Sequence, residues 1–197
     1  SGLYSLEAAA QIIKNGQADK VVIAASDHPD IYKYLWFRSL GIYSEDGIIK
    51  PFCKNSSGLV FGDGGAAMVL EELESARKRS AQIYAEFLGA GFDLEGWKIT
   101  VPKIGNDSYQ KAIKKAFLQS NQEKNNIDLL CPHGVGSGPI DYYEAKAITD
   151  TFGNNRLTTL ITTFKPYVGH NLGSSALLES AIMLLCMKNK TILPTLN

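Results

Sequence analysis

Residues 128–152, DLLCPHGVGSGPIDYYEAKAITDTF, pass from a short apolar run through a glycine-rich turn into a helical pattern. We expect a short buried strand at Asp128–Cys131, which leads directly into His133. We expect a helix at Asp141–Phe152, which stops at the following glycine. Ligands of open α/β sheets bind beyond the carboxyl ends of the strands, so this stretch predicts a site as well as a fold class.

The same alternation of strand and helix continues along the chain and predicts an α/β protein with crossover helices. The other expected helices are Leu3–Lys14, Asp30–Leu40, Ser108–Ser120 and Ser174–Met187. A glycine-rich loop within 58–73 is expected to lead into a strand. The other expected strands are Lys20–Ser26, Ala81–Gly89 and Leu157–Thr163. A polar loop follows the last of them. Because Lys20–Ser26 is continuously apolar after its first residue, we expect it to be buried on both faces, as in a parallel sheet.

Composition and charge narrow the class of protein. The 197 residues are 45% hydrophobic and 20% charged, which is typical of a globular protein. Twenty Lys and Arg balance 20 Asp and Glu, so neither nucleic acid nor an anionic membrane is expected as a partner. No apolar run is long enough to span a membrane. The three cysteines have no metal-type spacing, which predicts reduced thiols, no metal site and a cytoplasmic location.

Two of the three histidines, His133 and His170, follow predicted strands beside glycines. Carboxylates follow both of them, since Asp141 and Glu144 come after the first and Glu179 after the second. One histidine near a strand end is more often structural, but two in this setting predict a functional site. The third histidine precedes a proline and is expected in a surface turn.

These patterns resemble the β-ketoacyl synthases. His-Gly-x-Gly-Ser followed by Asp, at 133–141, resembles the first histidine motif of the family, and Lys-x-x-x-Gly-His-x-x-Gly followed by Glu, at 165–179, resembles the second. The elongating, type II-like synthases are the nearest group, because the initiating ones have Asn where His170 stands. Further blocks resemble the family in the same order, so the resemblance covers the whole chain: 1–26, 51–73, 99–102 and 192–197.

The resemblance implies the thiolase fold, a five-layer α-β-α-β-α arrangement. Residues 1–80 would form the latter part of the N-terminal half and 81–197 the first part of the C-terminal half. The resemblance places the cysteine nucleophile of the family two residues before Ser1 and a glycine-rich gate loop well beyond Asn197. We therefore expect an internal stretch of a synthase that lacks the nucleophile and does not condense substrates by itself.

The implied activity is that of a 3-oxoacyl-[acyl-carrier-protein] synthase, an acyltransferase of fatty acid or polyketide-type synthesis. It would join malonyl-carrier, with loss of carbon dioxide, to an acyl group held on cysteine. The implied partners are acyl carrier protein, acyl and malonyl thioesters, and a second subunit in a homodimer or a ketosynthase heterodimer. No cofactor is implied, because the phosphopantetheine arrives on the carrier protein.

The resemblance also assigns roles to residues. His133 and His170 would donate hydrogen bonds to the malonyl thioester oxygen as negative charge develops on it. Lys165 would lie near His170 and pair with Glu179. Ser137 would bind the pantetheine arm.

Two carboxylates would support this site. Asp141 and Glu144 are three residues apart on one helix face, and they would brace the loop around His133.

Two departures from the family pattern suggest a specialised synthase. The family has Asp and then Arg after Pro-Phe, where this chain has Cys53, Ser56 and Ser57. The family also has Thr two residues after the first histidine, where this chain has Val135. The loss of that hydroxyl would remove one hydrogen bond to pantetheine, about 1 kcal/mol.

Three other interpretations are open. A chain-length-factor-like partner of a ketosynthase would share the fold without catalysing the reaction, although such partners often lose the histidines. A thiolase or hydroxymethylglutaryl-type synthase would lack the spacing of Lys165 and His170. An α/β interaction domain would have to match every block by chance.

Overall fold

The computed structural model describes residues 2–98, 102–103, 105–153 and 158–197. Residues 99–101 of the expected segment 99–102 lie outside the described residues. So does residue 157, the first of the expected strand Leu157–Thr163. The helices are α1 (Gly2–Lys14), α2 (Ile31–Ser39), α3 (Leu73–Lys78), α4 (Ser108–Ser120), α5 (Gly138–Phe152), α6 (Lys165–Val168) and α7 (Ser175–Asn189). The strands are β1 (Lys20–Asp27), β2 (Gly64–Glu71), β3 (Leu129–Leu130) and β4 (Leu160–Ile161). Short 3₁₀ turns occupy Lys124–Asn126 and Leu172–Ser174.

The predictions of α1, α2, α4 and α7 are confirmed to within two residues. Asp30 caps α2 by accepting the Lys33 N–H at 2.9 Å. Gly16, in the left-handed region at φ +66°, ends the turn after α1. Helix α5 begins at Gly138, three residues earlier than expected, because a proline suits the first helical turn.

The chain divides into two compact units, and the first contains residues 1–29, 62–88 and 171–192. Its strands β1 and β2 pair antiparallel, from Lys20 opposite Glu71 to Asp27 opposite Gly64. Helices α1 and α7 pack on this sheet and on each other. The core residues are Leu6, Ala9, Ile23 and Leu177.

The expected burial of β1 on both faces in a parallel sheet is wrong. Within the described residues, β1 pairs only with the antiparallel β2, and the outer face of this pair is exposed. Val22 is 71% exposed and its partner Val69 60% exposed, whereas Ile23 lies in the core. A continuous apolar run does not encode the direction of the neighbouring strand, because that direction depends on the path of the chain between the strands.

The second unit contains residues 30–61, 89–170 and 193–197, including α2, α4, α5 and α6. Its strands β3 and β4 are parallel, with Leu129 opposite Leu160 and Leu130 opposite Ile161. Strand β3 ends three residues before His133, and β4 is followed by α6 and then His170. The carboxyl ends of parallel strands lie at the same edge, so both histidine segments start from that edge. Helices α4 and α5 pack against each other.

Two local expectations are wrong, and one short helix was not expected. Residues 81–89 form no strand in the described structure, because alternation does not supply a partner to hydrogen-bond with. The expected polar loop before Gly169 contains the single turn α6, which has Pro166 in its first turn. Helix α3 was not expected, and Glu72 caps it by accepting the N–H groups of Glu74 and Ser75.

Within the described ranges, no helix combines the length and apolar character that a membrane crossing requires.

Candidate active site

The two histidines lie together within the second unit. The ring centroids of His133 and His170 are 5.2 Å apart, and the ring planes are inclined by 81°. The prediction that the two imidazoles converge is therefore confirmed. An oxygen atom between the rings could be reached from both of them, because a hydrogen bond spans about 3 Å.

Two carboxylates of α5 hold the His133 loop. The backbone N–H groups of His133 and Gly134 donate to Glu144 at 2.6 and 2.9 Å. The N–H groups of the next two residues donate to Asp141, each at 3.1 Å. Asp141 also accepts the N–H of Phe52 at 2.8 Å. The predicted bracing of this loop is thus present in the structure, and charged acceptors make such hydrogen bonds strong.

The glycines of this loop are required by its backbone. Gly134 and Gly136 have φ of +45° and +75°, in the left-handed region that other residues rarely adopt. A Cβ atom at Gly136 would lie 3.0 Å from the Gly58 carbonyl oxygen and from the Lys50 amide nitrogen. Gly58 in turn donates its N–H to the Gly136 oxygen at 2.9 Å, so the two loops are tied backbone to backbone.

Burial dominates the electrostatics of both carboxylates. It raises the pKa of Asp141 and the pKa of Glu144, whereas the backbone N–H groups that each accepts act in the opposite direction. The positive charge of Lys165 also favours the ionised form of Glu144 and lowers its pKa.

His133 is held in its neutral form. Burial lowers its pKa well below the ordinary value of 6.5, and the electrostatic effects of the neighbouring Lys165 and His170 lower it further. A neutral imidazole retains one N–H that can donate a hydrogen bond. The side chain of His133 is therefore suited to stabilise a developing negative charge rather than to carry a positive one.

The second motif forms a rigid turn around a buried lysine. Lys165 starts α6 and is only 1% exposed. The turn ends when Gly169, at φ +74°, donates its N–H to the Lys165 oxygen at 2.8 Å. His170 is buried and donates its backbone N–H to the Val60 oxygen at 2.8 Å, and it forms a parallel bridge with Phe61.

The remaining predicted residues have the following positions. Ser137 is buried at the residue before α5, and Val135 is fully buried beside it. Glu179 is buried on α7, which belongs to the first unit, so its predicted pairing with Lys165 stays a prediction. The roles assigned to all of these side chains are likewise predictions.

A cavity of about 370 Å³ adjoins the second motif within this unit. Its walls include the apolar residues Ile48, Ile49, Phe61 and Val168, together with Lys165. Sequence patterns could not indicate this cavity, because its walls come from four separate segments of the chain: 47–49, 60–61, 165–169 and Asn197.

Sequence reasoning also missed contributions from residues 42–61. Phe52 adopts φ +58°, unusual for a residue with a side chain, and this conformation accompanies its hydrogen bond to Asp141. In the sequence, only the Pro51-Phe52 pair indicated that this segment contributes to the site.

Ser57, where the chain departs from the family pattern, belongs to a local polar network. Its hydroxyl lies 3.0 Å from that of Ser44 and donates to Asp46 at 3.2 Å. Lys50 pairs with Asp46, and this contact is the largest cause of the lowered pKa of Asp46. The segment 44–57 is therefore stabilised by contacts among its own polar side chains.

Two family models match the chain, one in each part of the sequence. The model of the β-ketoacyl synthase N-terminal domain matches residues 1–76, and the model of the C-terminal domain matches residues 84–197. The chain belongs to the β-ketoacyl synthase family. The family matches leave residues 77–83 between them, and the predicted division at residue 80 stays a prediction.

Relatives and solved structures agree with the family. The 3-oxoacyl-[acyl-carrier-protein] synthase 2 of Coxiella burnetii is 30% identical over 203 residues, covering 100% of this chain and 49% of the relative. The chain therefore spans about half the length of the curated relatives that it matches. The ishigamide ketosynthase/chain length factor superposes with a TM-score of 0.92 at 30% identity, covering 100% of this chain and 47% of that chain.

A second solved structure is AntDE:AntF, a type II PKS acyl-carrier protein in complex with its ketosynthase bound to the hexaketide. It superposes with a TM-score of 0.89 at 26% identity, covering 94% of this chain and 47% of that chain. The predicted thiolase-like α/β fold is confirmed by these superpositions.

Proposed function

We propose that the whole protein is a 3-oxoacyl-[acyl-carrier-protein] synthase, an acyltransferase that extends an acyl chain by decarboxylative condensation. The observation that carries this proposal is the 5.2 Å separation of His133 and His170, with His133 held neutral beside the buried Lys165. Membership of the β-ketoacyl synthase family supports the same conclusion.

The reaction begins with acyl transfer. A cysteine thiolate, which the family resemblance puts two residues before Ser1, attacks the acyl thioester, and the thiol of the carrier protein leaves. The acyl group is then held on the cysteine as a thioester.

Decarboxylation follows. The bond between the malonyl α-carbon and its carboxylate breaks, carbon dioxide leaves, and the electron pair forms an enolate on the malonyl thioester. The imidazole N–H groups of His133 and His170 donate to the enolate oxygen, which lowers the barrier because the donors are already in position. The enolate carbon attacks the acyl thioester, the cysteine thiolate leaves, and a β-ketoacyl carrier is released.

The supporting residues keep this site in its reactive form. Lys165 disfavours protonation of His133, and its pairing with Glu179 would fix its position. Asp141 and Glu144 hold the backbone of His133 and of the three residues that follow it. Ser137 would donate to the pantetheine arm, which has one hydroxyl partner fewer because Val135 is apolar.

Acyl carrier protein is the proposed partner, together with acyl and malonyl thioesters. The named complex of a related ketosynthase with its carrier protein supports this choice. We further propose a homodimer, or a ketosynthase heterodimer, which sedimentation of the whole protein tests directly. We also propose a cytoplasmic location, since Cys53, Cys131 and Cys186 form no disulfide among the described residues.

A non-catalytic partner subunit is the alternative, since one superposable structure is a ketosynthase/chain length factor. The retention of both histidines favours the enzyme. The deciding experiment incubates the whole protein with acyl-carrier and [¹⁴C]malonyl-carrier and measures carbon dioxide and β-ketoacyl-carrier. An enzyme releases both in equal amounts, whereas a partner subunit releases neither until a separate ketosynthase is added.

A further inference from the structure

Phe52 occupies a turn position that ordinarily takes a glycine or an asparagine. Residues 50–53 form this turn, and the Cys53 N–H closes it by donating to the Lys50 oxygen at 3.4 Å. Phe52 is the third residue of the turn, and its φ is +58°. A side chain is disfavoured in this conformation, because its Cβ atom is crowded by the backbone. Such strain persists where the surrounding structure imposes it.

Hydrogen bonds hold the backbone of the turn in place. The Phe52 N–H donates to Asp141 at 2.8 Å. The Cys53 thiol donates to the Asn197 oxygen at 3.3 Å, and the Asn197 side chain donates to the Ile49 oxygen at 3.2 Å. These contacts fix the backbone, but none of them involves the Phe52 ring. They would therefore form equally well with a glycine in its place.

The ring itself lies against the loop that carries His133. A Cβ atom at Gly134 would lie 3.1 Å from Cε2 of Phe52 and 3.1 Å from Cγ2 of Thr163. Both distances are shorter than an ordinary contact between carbon atoms. Gly134 is therefore enclosed between the Phe52 ring and the side chain of Thr163.

Phe52 is the outer layer of this packing. Its side chain is 39% exposed, whereas residues 134–137 are all buried. Part of the ring thus contacts solvent while another part covers the buried backbone of the loop. An apolar ring in this position keeps water away from that backbone. Alanine would leave the space over Gly134 open, because its side chain ends at Cβ.

Exclusion of water matters for the imidazole of His133. Burial is the largest cause of its lowered pKa, ahead of the effects of Lys165 and His170. Asp141 and Glu144 hold the backbone of the same loop. All four of these titratable neighbours remain when the ring is removed, and so does the backbone N–H that Asp141 accepts. Loss of the ring therefore isolates the effect of water on the loop.

We propose that Phe52 is a positioning residue of the condensing site, whose ring covers the His133 loop and shields the imidazole that donates to the enolate oxygen. This inference rests on the proposed condensing function and adds a residue to it. Phe52 acts through His133 rather than on the substrate. The role also accounts for the strained turn, because glycine would relieve the strain but leave the loop uncovered.

The test measures carbon dioxide release from malonyl-carrier by the whole protein at about pH 5.5 and about pH 8. In Phe52→Ala water reaches the loop, the pKa of His133 rises, and the imidazole becomes protonated at a higher pH. The ratio of the rate at the lower pH to the rate at the higher pH should therefore fall about three- to tenfold below the wild-type ratio. Loading of a radiolabelled acyl group onto cysteine should keep its wild-type pH dependence.

Two further variants separate the ring from the backbone. Phe52→Gly removes the ring and relieves the strained φ, so it should resist urea at least as well as Phe52→Ala and still show the same low ratio. If Phe52→Ala does not fold, the glycine variant supplies the measurement. Phe52→Tyr keeps the ring and should restore the wild-type ratio.

Phe117→Ala is the matched control. Phe117 is also a partly exposed ring of the second unit, and it pairs edge to face with Phe152 at 6.1 Å, between α4 and α5. Its removal should leave the ratio of the two rates at the wild-type value.

The outcomes separate the two proposals. A wild-type ratio in both Phe52→Ala and Phe52→Gly would overturn the inference and leave the condensing function standing. An equal loss of rate at both pH values would overturn it too, since Phe52 would then only support the fold. If the wild-type protein released no carbon dioxide at either pH, the condensing function would fail and this inference with it.

Discussion

Glu144 accepts the backbone N–H of His133 at 2.6 Å, so a carboxylate eleven residues further along the chain fixes the backbone of a candidate catalytic histidine. The second oxygen of Glu144 accepts the N–H of Gly134 at 2.9 Å. One side chain thus satisfies two buried donors that no strand or helix partner reaches.

Replacing Glu144 should destabilise the protein. Glu144→Gln substitutes an NH₂ group for one acceptor and leaves a buried N–H without a partner, which costs about 1–3 kcal/mol. Urea unfolding of the whole protein measures this change. Glu74→Gln is the control, because Glu74 is exposed and pairs only with Arg77 on the surface, and it should change stability by less than about 0.5 kcal/mol. Equal losses in both variants would contradict the bracing role.

Removal of either histidine should separate the two chemical steps. His133→Ala or His170→Ala should slow carbon dioxide release from malonyl-carrier by about 100- to 1,000-fold, since each removes a donor to the enolate oxygen. Loading of a radiolabelled acyl group onto cysteine should remain measurable, because that step needs the thiolate rather than the enolate donors. His28→Ala is the control. His28 is exposed and bonds to Asp63, and both residues belong to the first unit, whereas the histidine pair belongs to the second. Carbon dioxide release at the wild-type rate in both alanine variants would mean that the two histidines are structural.

Lys165 should control the pH range of decarboxylation. A histidine with a lowered pKa stays neutral as the pH falls through 6.5, so the wild-type rate should hold below that pH. Lys165→Met removes the positive charge and lets the pKa of His133 rise, although burial still keeps it low. The pH at which carbon dioxide release is lost should therefore move upward in this variant.

A matched charge removal separates this effect from a change in net charge. Lys111→Met removes a surface lysine that pairs with Asp107 in the same unit. It should leave the acid side of the rate profile unchanged. The same acid limb in Lys165→Met and the wild type would show that this lysine does not act on His133.

Two glycines with similar backbone conformations should differ in their tolerance of alanine. Gly136 and Gly96 have φ of +75° and +64°, so alanine is strained at both. A Cβ atom meets backbone atoms at 3.0 Å only at Gly136, whereas nothing lies within 4 Å at Gly96. Gly136→Ala should therefore cost about 1–3 kcal/mol more than Gly96→Ala in urea unfolding. Equal costs would show that the loop around His133 relaxes freely.

Local features of the sequence were sufficient to predict several helices and the elements of the site. The apolar spacing of α1 and α4 identifies them, because a helix face is set by residues three and four apart. Helix α7 was predicted instead from its long, mostly apolar sequence. The separation of Asp141 and Glu144 similarly put both carboxylates on one face of α5. The two histidines could be selected because each follows a short strand beside glycines.

Only the tertiary structure decided which distant segments meet. Phe52 donates to Asp141 across 89 residues of chain, and Phe61 pairs with His170 across more than a hundred. The antiparallel direction of β1 and β2 and the absence of a strand at 81–89 also depend on partners remote in sequence. Periodicity describes the neighbours of a residue along the chain, so it does not indicate which distant segments pack around the histidine pair. The rings of α2 meet Tyr43 and Phe61 because the path of the chain brings these segments together.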